Sequence, residues 1–125
     1  MKKIFFILTA GILALASCQK SIEEKAADDV REYTRRECPR MIAENIRQDS
    51  MTFESDTRTL VYHYTLQGVL DDKEKQQQYT EQYKSQLRQE IKSTPSLKNY
   101  VEAGFKFRYV YRSERSGEII LNLDI

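Results

Sequence analysis

Between Phe105 and Arg112 the chain alternates without a break. Phe105, Phe107, Tyr109 and Tyr111 take one side, and Lys106, Arg108, Val110 and Arg112 take the other. Successive side chains of an extended backbone point to opposite faces, so this segment is a β-strand with one aromatic face and one cationic face. A single strand cannot keep four rings from water, and the rest of the chain must supply partner strands and a cover. Ser116-Gly117 offers a turn, and Ile119, Leu121 and Leu123 then alternate with Ile120, Asn122 and Asp124 as a partner strand. The same period appears from Ser50: Met51 and Phe53, a polar turn at Asp56-Thr57, then Leu60, Tyr62, Tyr64 and Leu66. Thr52, Glu54, Val61, His63 and Thr65 occupy the opposite side, so two antiparallel strand pairs with one dry face are expected.

The cover comes from segments of helical period. Ser21-Ile22-Glu23-Glu24 has capping-box spacing, a hydroxyl followed three residues later by a carboxylate, and Ile22, Ala26, Val30 and Tyr33 form one stripe after it. Pro39 interrupts this helix near Cys38, and Met41, Ile42 and Ile46 read as a second short helical piece. Asp71-Asp72 with Glu74 opens a long helix running to Lys92, with Tyr79, Tyr83, Leu87 and Ile91 at steps of four. Thr94-Pro95 opens a shorter one that Gly104 ends. The expected fold is α+β in the order helix-strand-strand-helix-helix-strand-strand, a single four-stranded antiparallel sheet with helices packed on one face. The halves 21–70 and 71–125 share an element order, and Tyr62-His63-Tyr64 echoes Tyr109-Val110-Tyr111, which raises an internal duplication. Strands facing helices commonly alternate aromatic and polar residues, so the fold does not depend on that history.

The N-terminal segment has a different character. Lys2 and Lys3 precede an apolar run from Ile4 to Ala16, too short at 1.5 Å per residue to cross a hydrocarbon core of about 30 Å. The layout is that of a secretory signal. Leu15-Ala16-Ser17-Cys18 resembles the lipobox of bacterial lipoprotein precursors, which implies that Cys18 is acylated and becomes the first mature residue. Gln19-Lys20 followed by Glu23-Glu24 is similar to the export tag of surface lipoproteins in the Bacteroidota. The expected layout is a signal peptide over 1–17, a lipidated anchor and short tether over 18–21, and one α+β domain over 22–125. The bilayer would be held through acylated Cys18, at the outer membrane, with the domain on the periplasmic face or the cell surface.

Cleavage before Cys18 leaves 108 of the 125 residues, enough for one modest core. Without Lys2 and Lys3, 18 basic side chains face 19 acidic ones, a balance that carries no nucleic-acid footprint. Once Cys18 carries lipid only Cys38 remains, either a small buried hydrophobe or a thiol open to an intermolecular bond.

Leu60-Val61-Tyr62-His63-Tyr64-Thr65-Leu66 together with Gly104-Phe105-Lys106-Phe107-Arg108-Tyr109-Val110-Tyr111 resembles a family of small exported bacterial proteins of uncharacterised function. In that family a Tyr-x-Tyr-Thr strand precedes a long helix and a Gly, Tyr-x-Tyr strand follows it. The resemblance spans residues 38 to 120 and implies structural positions rather than a chemistry. Where family members often carry a cysteine before the short second helix this chain has Ser93-Thr94-Pro95, so no disulfide role carries over.

Catalytic patterns are missing. The chain has one histidine, His63, and neither a Gly-x-Ser-x-Gly, a phosphate-cradling glycine loop nor a Cys-x-x-Cys. The carboxylate pairs Glu23-Glu24, Asp28-Asp29 and Asp71-Asp72 sit near helix starts, where negative charge opposes the macrodipole. A non-enzymatic protein without metal or cofactor is expected. The candidate partner-binding face is the polar side of the sheet, His63, Lys106, Arg108 and Arg112 with Thr65 and exposed Val61, Val110 and Ile120, facing an envelope protein or an acidic glycan. The plainer alternative is a solvated face whose cations pair across strands with Glu54 or Asp124. A membrane-anchored accessory role is the first functional expectation, and inhibition of an envelope hydrolase, a protease or lysozyme, through an exposed loop is the second.

Overall fold

The structure, a computed structural model, describes residues 20–125. The signal segment 1–17 and the lipidation residue Cys18 lie outside the described residues. Helix α1 spans Ile22–Glu37 and starts where the capping box placed it, the Ser21 hydroxyl accepting from the Glu24 amide at 3.1 Å. Glu23 and Glu24 open it and Arg35 and Arg36 close it, so both ends complement the helix dipole. Cys38, extended ahead of Pro39, takes the chain out of the helix.

Residues 40–46 are not the short helical piece that their apolar spacing predicted. Instead β1 (Arg40–Ala43) turns through Glu44-Asn45 into β2 (Ile46–Glu54). Asn45 has φ 67°, a left-handed conformation that asparagine tolerates better than most residues and that closes a tight hairpin. Ile42 and Ile46 lie four apart and imitate a helix stripe, the ordinary ambiguity of short apolar runs. A second hairpin joins β2 to β3 (Thr59–Leu66). A short 3-10 turn, Gly68–Leu70, then leads into α2 (Lys73–Gln77), α3 (Thr80–Ser93), a 3-10 turn at Pro95–Leu97 and α4 (Lys98–Glu102). The expected long helix is thus broken at Gln78-Tyr79. Gln77, just before the break, anchors to the sheet, its amide donating to the Ile120 carbonyl at 3.3 Å. The chain finishes with β4 (Lys106–Ser113) and β5 (Ile119–Asp124).

The expected four-stranded antiparallel sheet is overturned. The fold is α+β, but the sheet has five strands in the order β1-β2-β3-β4-β5, and β3 pairs with β4 in parallel. The cause is the connection. A helical crossover between β3 and β4 carries the chain back to the end of the sheet where β3 began, and a chain returned in this way runs parallel. Parallel register sets Tyr62 beside Tyr109 and Tyr64 beside Tyr111.

The core lies between the sheet and a single helical layer. Leu60, Phe107, Tyr109, Leu121 and Leu123 from the strands meet Ala26 and Val30 of α1, Ile91 of α3 and Tyr100 of α4. Helix α1 rests on β2, while α2 and α3 rest on β5. The middle of the sheet, β3 and β4, lies under the gap between them.

Candidate functional site

A row of tyrosines, half-buried or buried, floors that gap. The rings of Tyr62 and Tyr109 stack at 4.5 Å between centroids, Tyr64 and Tyr111 at 4.9 Å, and Tyr64 and Tyr109 at 6.2 Å, so four rings form a ladder across the parallel pair. Two depressions open onto it. One, about 300 Å³, lies between α1 and the Thr94–Tyr100 stretch over Tyr62. The other, about 410 Å³, lies between α3 and the β1–β2 hairpin and is lined by Ile42, Ile46, Tyr64, Leu87, Glu90 and Tyr111 among others.

This second groove is mostly apolar, with a few polar tips. Tyr64 is 8% exposed as a residue but its hydroxyl reaches solvent; among the described residues neither it nor the Tyr111 hydroxyl has a protein hydrogen-bond partner, so both are free to bond water or a ligand. Tyr83 by contrast donates to Gln76 at 2.8 Å. Burial pushes the Tyr62 phenol up to about 12 and raises Tyr64, Tyr109 and Tyr111 as well, with the Glu90 carboxylate adding to the shift in all four. At neutral pH these phenols therefore keep their protons. They can donate hydrogen bonds to a ligand but are not activated nucleophiles.

The polar side of the sheet, where the sequence placed the binding face, is arranged differently. Arg108 extends from β4 to Asp124 on β5 at 2.7 Å and to Glu54 on β2 at 3.3 Å. Val61, its cross-strand neighbour, is 3% exposed and Val110 is 5% exposed, so the expectation of exposed valines there is corrected. Long arginine stems roof the small residues between them. Ile120 is also buried rather than exposed: the bulge beside Tyr111 and Arg112 turns it into the core. Arg47 meets Asp49 at 2.7 Å and Glu114 at 3.6 Å on the same face.

His63 is half-buried there, its Nε2 2.8 Å from the Thr52 hydroxyl and its Nδ1 3.3 Å from an Arg112 nitrogen. A guanidinium only donates, so Nδ1 accepts and Nε2–H donates to Thr52. Burial first, then the Arg112 charge, lowers the His63 pKa and holds the ring neutral. Lys106 stands exposed at the start of β4. The structure thus brings His63 and Arg112 into contact, commits Arg108 to two carboxylates and leaves Lys106 apart. Cys38 is half-buried, with a thiol pKa raised chiefly by burial. Among the described residues no cluster of three or more histidine, cysteine or carboxylate side chains could hold a metal ion.

The groove escaped the sequence-based expectations. Its signal was the use of tyrosine where leucine would serve a core: eight tyrosines and no tryptophan, four of them paired in two Tyr-x-Tyr segments. Glu90 offered no signal at all, because one more charge on a solvated helix is unremarkable without the groove beside it.

The architecture is that of a small α+β protein with one helical layer over a mixed sheet, carrying a ligand-sized groove and no catalytic constellation among its described residues. The chain belongs to a family described as a domain of unknown function, DUF8479, whose model matches residues 21–121. No curated protein matches it. Among solved structures, a candidate secreted protein of Pseudomonas aeruginosa shares the fold with a TM-score of 0.67 at 15% identity, over 86% of this chain and 95% of that one. The pilotin EpsS from the type 2 secretion system of Vibrio vulnificus gives a TM-score of 0.59 at 11% identity, over 82% of this chain and 86% of that one. At such identities the likeness is one of fold.

Proposed function

We propose that this protein is a membrane-anchored, non-enzymatic envelope lipoprotein that holds a protein partner in the groove between α3 and the β1–β2 hairpin. Acylated Cys18 attaches it to the outer membrane, with the domain on the periplasmic face or the cell surface. The observation that carries the reading is the groove itself, an apolar depression of about 410 Å³ over an aromatic floor whose Tyr64 hydroxyl lacks a partner among the described residues. The fold likeness to a secretion-system pilotin and to a candidate secreted protein supports the envelope setting. The Lys106/Arg108/Arg112 face is the weaker docking surface, because Arg108 is already held by Glu54 and Asp124.

Hydrolase inhibition draws on one observation. Residues 114–119 form an exposed run whose Arg115 is tied back to the buried carboxylate of Asp71 at 3.2 Å, as a rigid inhibitory turn would need. Photo-crosslinking separates these readings. A photoreactive residue at Gln86, on the groove rim, should give a discrete adduct in intact cells, and one at Asn122 on the opposite face should give none. Adducts only from Asn122, or only from Ser116, would move the partner to the outer face or to the turn.

A further inference from the structure

Glu90 stands in the last turn of α3, where a carboxylate faces the negative end of the helix dipole and costs stability. Its helical neighbours offer no compensation: Gln86 and Leu87 lie one turn before it, Ser93 and Thr94 one turn after, and the cations Arg88 and Lys92 are two residues away on other faces. Among the described residues no cation reaches it, although most of the carboxylates on α1 are paired. The one cation that β1 turns toward this side, Arg40, is held by Gln48, Tyr33 and Glu37. Among the described residues Glu90 is nevertheless the only charged side chain lining the groove. Glu90 is exposed and water solvates it in the free protein, as it does Glu74 and Glu81. What sets Glu90 apart is that it opposes its own helix end and is the charge on the groove wall, a placement that a cationic occupant would explain.

Resting on the groove reading above, we infer that the groove takes a cationic apolar peptide segment: apolar side chains pack against Ile42, Ile46 and Leu87, a lysine or arginine pairs with Glu90, and Tyr64 and Tyr111 donate hydrogen bonds to the segment's carbonyl groups. Charge complementarity selects the occupant. An acidic segment would meet the Glu90 carboxylate across a low-dielectric surface, and a purely apolar one would leave that carboxylate half-desolvated.

The test uses the full chain purified from membranes in phosphatidylcholine nanodiscs, with empty discs as blank. The probes are a fluorescein-labelled dodecapeptide of alternating leucine and lysine and its leucine–glutamate counterpart, followed by anisotropy. The lysine peptide should bind at least about tenfold more tightly than the glutamate peptide. Glu90→Gln should weaken the lysine peptide about three- to tenfold, the scale of one partly exposed ion pair. The melting temperature of Glu90→Gln should hold or rise, because an unfavourable charge leaves the helix end, whereas a merely structural role would lower it. Gln86→Trp, which fills the groove from an exposed position, should block both peptides. Equal binding of the two peptides, or an unchanged affinity in Glu90→Gln, would overturn the cation assignment; if Gln86→Trp still blocks, the groove reading stands. Binding that ignores Gln86→Trp, or no binding of either peptide, would overturn both.

Discussion

Phe107→Ala should destabilise the domain by about 3 to 5 kcal/mol, the cost of deleting a ring from a packed core and leaving part of the cavity unfilled. For a domain of roughly a hundred residues that corresponds to a fall in melting temperature on the order of 15 °C. Phe107 is 5% exposed, sits beside Leu60 across the parallel pair and belongs to the cluster that includes Ala26 and Leu123. Its neighbour Arg108 points the other way and joins two exposed carboxylates, and pairs of that kind contribute about 1 kcal/mol or less. Arg108→Ala should therefore move the melting temperature only slightly. Calorimetry of the two variants reads the sheet faces directly. Comparable losses in both would mean that the face opposite the helices carries as much of the core as the helix face.

Cys18→Ala should move the protein from the membrane fraction to the soluble fraction nearly completely while leaving its melting temperature unchanged. The physical reason lies in acyl chains. On the proposed reading each buried methylene contributes about 0.8 kcal/mol, so two or three chains on Cys18 would suffice to hold the domain. Among the described residues no helix is long and apolar enough to cross a membrane. The charge balance of the chain without Lys2 and Lys3 gives no cationic surplus for anionic lipids. Cell fractionation with immunodetection measures the outcome, and a Cys18→Ala chain that stays with membranes through a high-salt wash would contradict acyl attachment.

Local rules carried much of the fold. Ser21 and Asp72 were legible as helix starts because a side-chain oxygen that satisfies a free amide has a fixed spacing, and Asp72 indeed accepts from the Lys75 amide at 3.1 Å. The alternation at Leu60–Leu66 and Phe107–Tyr111 fixed which side faces the helices, because Tyr62, Tyr64, Tyr109 and Tyr111 share one face. Direction was not legible. A half-buried strand shows the same alternation whether its neighbour is parallel or antiparallel, and only the length and helical content of the β3–β4 connection tell them apart.

Strand β1 was lost because its four residues are all exposed and carry no alternation to detect. The groove was not legible either, since it forms where α3 and the β1–β2 hairpin stand apart over the tyrosines, and the spacing of a helix and a hairpin across a sheet is a tertiary quantity. The candidate face of His63, Lys106, Arg108 and Arg112 was drawn from a true alternation. The pairing of Arg108 with Glu54 and Asp124, and of Arg112 with His63, depends on strands far apart in sequence.

On the proposed reading, a tethered domain grips its partner on the helix side of the sheet. Copurification of the tagged chain from solubilised envelopes, compared between Gln86→Trp and Arg112→Ala, tests this most directly. A partner retained by Arg112→Ala and lost from Gln86→Trp is the predicted result. A partner that survives the filled groove and disappears with Arg112→Ala would contradict it.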